Sequence, residues 1–351
     1  MTAKVSRVRS LPFKDWPTAD REAWVSACKP AERLRRGGCA SHLKAVTRSD
    51  FVQRYGYFLD FQERYGDLDR NGAAAAGVKT ERVEPFITEL TARVSSVTVY
   101  GSIYKLRRMA QLLAPKGDFV WLTEIEKDLA LIMRPRSKYG RLVHSEVLVE
   151  AGLTLMEEAQ GATQQSALAR AREYRNGLMI ALLALCPIRL KNFAALEIGR
   201  TFTQIDGSWW ILLSASETKE RRVDERAVPA FLSLWVNRYV SIHRPALSRS
   251  DDPPAALWLS SNGGRVMSYC GIEKLISEST RAAVGVPVSP HLFRAAAAST
   301  SAVHGGRFRH LASAVLHHTD PAVTQEHYNR ASSLSAGQSY AAVVRALAVR
   351  E

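Results

Sequence analysis

Six side chains in the C-terminal half have the types and order of a phosphate site with a nucleophile: Arg189, Lys219, His291, Arg294, His318 and Tyr328. His291 and Arg294 stand three apart in Ser289-Pro290-His291-Leu292-Phe293-Arg294, Leu316-His317-His318 follows, and Tyr328 lies ten residues beyond His318. A planar guanidinium donates two parallel hydrogen bonds to phosphate oxygens, which makes arginine the natural clamp. A tyrosine hydroxyl ionises near ~10 in water and needs a positive setting to attack as phenolate. No carboxylate cluster accompanies the set, so the pattern reads as metal-free phosphoryl transfer through a tyrosine.

Each residue alone has a plainer explanation. Ser289 can cap a helix with Pro290 at its first position, and the helix start favours an anion near His291 and Arg294. The plain alternative is a basic pair solvating a helix end. Arg189 sits just after Pro187 between two apolar helical stretches, where an unpaired arginine is costly. It is therefore either in a buried ion pair or aimed into a site. Lys219 in the polar turn 217–222 would by itself be a solvated lysine, with Arg221 and Arg222 as neighbours. Tyr328, one turn after Thr324 in a helix started by Asp320-Pro321, would by itself be a half-buried core tyrosine. His310, His317, His318 and His327 do not make a convincing metal site, because adjacent histidines rarely ligate one ion together. Together the plain explanations fail, since independent accidents would have to supply the whole ordered series.

The elements that position these residues follow from periodicity and composition. The chain has 351 residues, a formal net charge of +14 and a sequence pI near 9.8. That suits a polyanionic partner such as double-stranded DNA. Cys28, Cys39, Cys186 and Cys270 are too scattered for a zinc motif or a disulfide framework, which fits a reducing cytoplasm. Residues 1–10 are basic without the apolar run of a signal peptide, and no apolar stretch is long enough to span a bilayer.

Residues 1–40 read as an extension with one short helix near 20–28. Residues 41–132 read as a helical domain, with one helix capped by Ser49-Asp50, another over 83–94, and a third over 97–113. In the third, Val99, Ile103, Leu106, Ala110 and Leu113 form an apolar stripe. Lys105, Arg107 and Arg108 lie off it, as on a helix laid on DNA or on an ordinary surface helix. Residues 133–145 form a basic linker carrying Arg134, Arg136, Lys138 and Arg141, suited to tracking a phosphate backbone. From 146 to 351 a second domain runs through a buried helix over 173–186, a resumed helix over 190–196, a strand at 209–213 and a returning strand ending near 227–229. Helices then dominate. The fold expected is mainly α with a small β-sheet.

The combination resembles the tyrosine recombinases of the phage integrase family. It is carried by Arg189 in Cys-Pro-Ile-Arg-Leu-Lys-Asn, Lys219 in the hairpin, His-Leu-Phe-Arg, Leu-His-His-Thr-Asp-Pro and Glu-His-Tyr. Family patterns often have glycine where His317 stands and an acidic residue where Asn192 stands, and the spacing to Tyr328 favours His318 over His317. The resemblance implies a two-domain DNA clamp, with a helical core-binding domain and an α+β catalytic domain. It implies cleavage through a 3′-phosphotyrosyl intermediate, with no cofactor, metal or ATP. It also implies a homo- or hetero-tetramer on paired DNA sites, with partner recombinases in some systems. Tyr340, Val343, Val344 and Leu347 form an apolar stripe that would dock on a neighbouring protomer. The rival readings are a type IB topoisomerase and a non-catalytic DNA-binding regulator.

Overall fold

A computed structural model describes residues 9–135, 139–248, 250, 252–304 and 315–316. The chain divides into two compact units, Met1–Arg136 and Ser137–Glu351.

The first unit is helical: α1 Thr18–Cys28, α2 Ala45–Tyr65, α3 Thr80–Arg93, α4 Ser96–Leu113 and α5 Val120–Ile132. α4 has the expected amphipathic form. Ser95 caps it by accepting from the Thr98 amide, and Val99, Ile103, Leu106, Ala110 and Leu113 are all buried. α2 begins at Ala45, a turn before the Ser49-Asp50 cap expected from sequence. Asp50 lies inside the helix and pairs instead with Arg54 and Lys105. α2 ends at Gly66, whose φ of 77° gives the left-handed turn that closes a helix without a Cβ clash. Leu11, Trp16, Trp24, Ala27 and Ala40, from the segment that reads as an extension, are buried in this unit's core. The Asp20 carboxylate there accepts from the Tyr55 hydroxyl and the Ala75 amide.

The second unit is built on α6 Ser145–Gly161 and α7 Ala167–Leu185. Residues 178–184 of α7 are apolar on every face and buried on every face, as a central helix must be. α6 meets α7 at Gly152 and Gly177. A Cβ on Gly177 would fall 2.6 Å from the Gly152 carbonyl oxygen, so only glycine permits this backbone approach. After α7 come the short α8 Leu190–Ala194 and a three-stranded antiparallel sheet in the order β1 Phe202–Ile205, β2 Ser208–Leu213, β3 Asp224–Ala227. Then follow α9 Ala230–Arg238, a π-helical turn Tyr239–His243, α10 Arg244–Ser248, α11 Tyr269–Val284 and α12 Pro290–His304.

β1 is absent from the sequence reading. Its signal was Asp206-Gly207, both with positive φ, the two-residue hairpin that closes β1 on β2. Trp209, Ile211 and Leu213 face the core from β2. Among the described residues no helix is long and apolar enough to cross a membrane. The helix expected after Asp320 and the stripe at Tyr340, Val343, Val344 and Leu347 lie outside the described residues.

Candidate active site

Arg189 stands where α7 has ended and α8 begins. Cys186, Pro187 and Ile188 are buried, so the turn that carries it is anchored in the core. Arg189 occupies the N-cap position, and its carbonyl accepts from the Asn192 amide at 2.8 Å. Its guanidinium is half-exposed and paired with the carboxylate of Glu220. This resolves the two options left by sequence: the pair exists, and it lies at the surface of the unit.

Glu220 comes from the loop 214–223 between β2 and β3, next to the exposed Lys219. Thr218 holds that loop, accepting from the Arg222 amide at 3.0 Å and donating to the Arg222 carbonyl at 2.7 Å. Partial burial alone would raise the Glu220 carboxyl. The hydrogen bond and charge of Arg189 outweigh it and leave the group below its ordinary value.

His291 is exposed in the first turn of α12, and Arg294 follows one turn on. Buried Leu292 and Phe293 seat this helix start in the core. Arg294 donates from Nη1 to the Pro187 carbonyl at 2.5 Å and from Nη2 to the Leu316 carbonyl at 2.8 Å. One side chain thus ties the turn of Arg189 to the stretch just before His317 and His318. Burial, then the nearby charges of Arg189 and Arg226, pull Arg294 down to about 10. It therefore remains protonated at neutral pH.

His318 and Tyr328, with His317, lie outside the described residues, as do Arg136 and Lys138. Among the described residues Arg189, Glu220, Arg226 and Arg294 converge. Sequence reasoning gave Glu220 no role and did not single out Arg226. The signal for Arg226 was the Asp-x-Arg spacing on a strand, which places Asp224 and Arg226 on one face. Arg226 donates to both Asp224 oxygens at 2.7 and 3.0 Å.

The candidate DNA contacts divide. Arg107 is held by Glu126 through Nε at 2.5 Å and Nη2 at 3.1 Å, which raises its pKa. Lys105 pairs with Asp50. Arg108 is half-buried, with a 3.5 Å bond to Gln111. Arg134 and Arg141 are exposed; the Arg134 amide donates to Ser96 Oγ at 2.9 Å.

No family model matches the chain. The chain is 26% identical over 300 residues to the tyrosine recombinase XerD of Mycobacterium tuberculosis, in each of two strains, covering 83% of this chain and 88% of that protein. In fold it is similar to a solved structure of the XerH site-specific recombinase bound to its difH substrate in a pre-cleavage complex. That likeness has a TM-score of 0.52 at 16% identity and covers 80% of this chain and 76% of that one. The ordered residue series, the mainly helical fold with its small antiparallel sheet and the relation to XerD agree: this chain is similar to the tyrosine recombinases in sequence and in fold.

Proposed function

We propose that this protein is a site-specific DNA recombinase that cuts and rejoins duplex DNA through a 3′-phosphotyrosyl intermediate. The observation that carries the reading is the double anchorage of Arg294 on Pro187 and Leu316, which gathers sequence motifs more than a hundred residues apart into one cationic surface. In this mechanism the phosphodiester displaces Glu220 and takes Arg189 and Arg294 on its two non-bridging oxygens. The bound guanidiniums stabilise the charge that develops as the phosphorus becomes five-coordinate. Tyr328 attacks, a phosphorus–oxygen bond to the tyrosine forms, and the bond to the 5′-oxygen breaks. Lys219 protonates that leaving oxygen. His291 and His318 assist by hydrogen bonding and proton transfer. The phosphotyrosyl link retains the energy of the broken diester, so the 5′-hydroxyl of a second strand can reverse the step without ATP.

The exposed Arg134 and Arg141, with Arg136 and Lys138, supply phosphate contacts from the basic segment 133–145 between a DNA-gripping helical domain, 41–132, and a catalytic domain, 146–351. Arg108 and Lys105 add to them where the DNA competes with Gln111 and Asp50. The active assembly is a tetramer on two DNA sites, formed when the stripe of Tyr340, Val343, Val344 and Leu347 docks on a neighbouring protomer. The reaction takes place in the cytoplasm.

The test is a suicide DNA substrate carrying a nick next to the cleavage position. Wild type should accumulate a covalent adduct, while Tyr328→Phe should bind the DNA equally and form none. An adduct in that variant, or one mapped by mass spectrometry to Tyr340, would show the nucleophile to be misassigned. Relaxation of supercoiled DNA without strand exchange would favour the topoisomerase reading, and binding with no adduct from wild type would favour the regulator.

A further inference from the structure

Arg226 belongs to no motif in the residue series, yet it is one of the most constrained side chains near the site. It lies on β3, only a tenth of its side chain is exposed, and every terminal nitrogen is in use. Nε and Nη2 grip the Asp224 carboxylate, itself 13% exposed, while Nη1 donates to the Val315 carbonyl at 2.6 Å. Arg294 donates to the next carbonyl, that of Leu316. Two guanidiniums therefore hold two consecutive carbonyls of one segment. Leu316 also packs on Ala297 and Ala298 of α12.

The two arginines differ in what they have left to offer. Arg294 is bound only to neutral acceptors in these contacts and keeps its full charge for an anion. Arg226 is neutralised by Asp224 through Nε and Nη2 and spends Nη1 on the backbone. A phosphate oxygen would have to break that pair to reach it. Its chemistry is that of a brace.

The placement gives the brace a function. Val315 and Leu316 immediately precede His317 and His318, and β3 is the returning strand of the hairpin that carries Lys219 and Glu220. We infer that Arg226 is a positioning residue for strand cleavage: with Asp224 it braces Val315, next to the Leu316 held by Arg294 and two residues before His317 in sequence, against β3, and it acts on the rate through His318. The inference rests on the reading of His318 as part of the cleavage machinery. A displacement of about 1 Å in such a group can cost on the order of 10²-fold in rate.

Single-turnover cleavage of the suicide substrate by full-length protein tests this, with duplex affinity measured alongside. Arg226→Ala should slow cleavage by about 10²-fold with affinity close to wild type, and Arg226→Lys should recover part of the loss, because its ammonium can reach one of the two partners but cannot span both. The decisive measurement is the double variant with His318→Ala. If Arg226 acts through His318, the double variant should cleave no more slowly than His318→Ala alone. Independent, multiplying losses would overturn the inference, as would an Arg226→Ala rate equal to wild type. If Arg226→Ala loses the wild-type melting transition, Arg226→Lys carries the same cycle. A normal rate for His318→Ala alone would instead remove the underlying reading of His318.

Discussion

Arg107 in the first unit and Arg294 in the second are held in opposite ways. In the first unit, charge is matched with charge. Arg64 is bound by Asp60 and by both oxygens of Glu89, Arg107 by both oxygens of Glu126, and Arg70 by Glu63. In the second, Arg294 is fastened to two backbone carbonyls and stands near two further guanidiniums, Arg189 and Arg226. Carbonyl anchoring is not by itself the mark of a site. Arg175 and Arg244 are also anchored on carbonyls, of Leu259 and Ala256, but they are only 2% and 7% exposed and no polyanion can reach them. What sets Arg294 apart is like charge close by at a partly open position. The carboxylates of Glu220 and Asp224 offset part of that repulsion, and an incoming anion would offset more of it. Arg107, matched by a carboxylate, serves the fold, whereas Arg294 is held by neutral carbonyls and keeps its charge.

The strongest way to break this comparison is to delete one arginine of each kind. Arg294→Ala should slow cleavage by about 10³-fold while the protein still binds duplex DNA. Arg107→Met should leave the cleavage rate near wild type. Comparable rate losses in the two variants would erase the distinction.

Stability should show the reverse. Glu126 is 6% exposed, so Glu126→Ala leaves Arg107 with a poorly hydrated charge. Urea unfolding of this variant should show a loss of about 2 kcal/mol, with the cleavage rate of the folded protein unchanged. A midpoint equal to wild type would mean that the pair does not hold α4 to α5.

The smallest effect sharpens the account of Glu220. Its carboxylate sits on Arg189 where a phosphate oxygen is proposed to bind. Glu220→Gln keeps the size and removes the charge, so duplex affinity at low salt should rise about threefold, as expected for a partly exposed ion pair. A fall in affinity would show that Glu220 holds Arg189 in place for the DNA and does not compete with it.

Legibility from sequence followed the range of the interactions. α4 could be read closely because its stripe and its Ser95 cap are local. The start of α2 was misplaced because Asp50 looks like a cap, whereas Arg54 and Lys105 give it a better use within the helix. β1 was missed because four residues, Phe202–Ile205, carry almost no periodicity, although Asp206-Gly207 marked the turn. Arg189, His291 and Arg294 could be proposed from sequence because each sits in a short motif, and Lys219 because it lies in the polar turn between two strands. Glu220 and Arg226 were not, because their importance lies in contacts to Arg189 and Val315.

The sequence by itself determined the chemistry on offer: a tyrosine with arginines, histidines and a lysine in a family order, in a basic and mainly helical chain. Residue type and spacing are local properties, and they set which protons, charges and nucleophiles exist. Only the tertiary structure decided which cations meet carboxylates and which meet neutral carbonyls. Arg107 and Arg294 are the same residue type in equally helical surroundings. They part company because folding brings Glu126 to one, and Pro187, Leu316 and two further guanidiniums to the other.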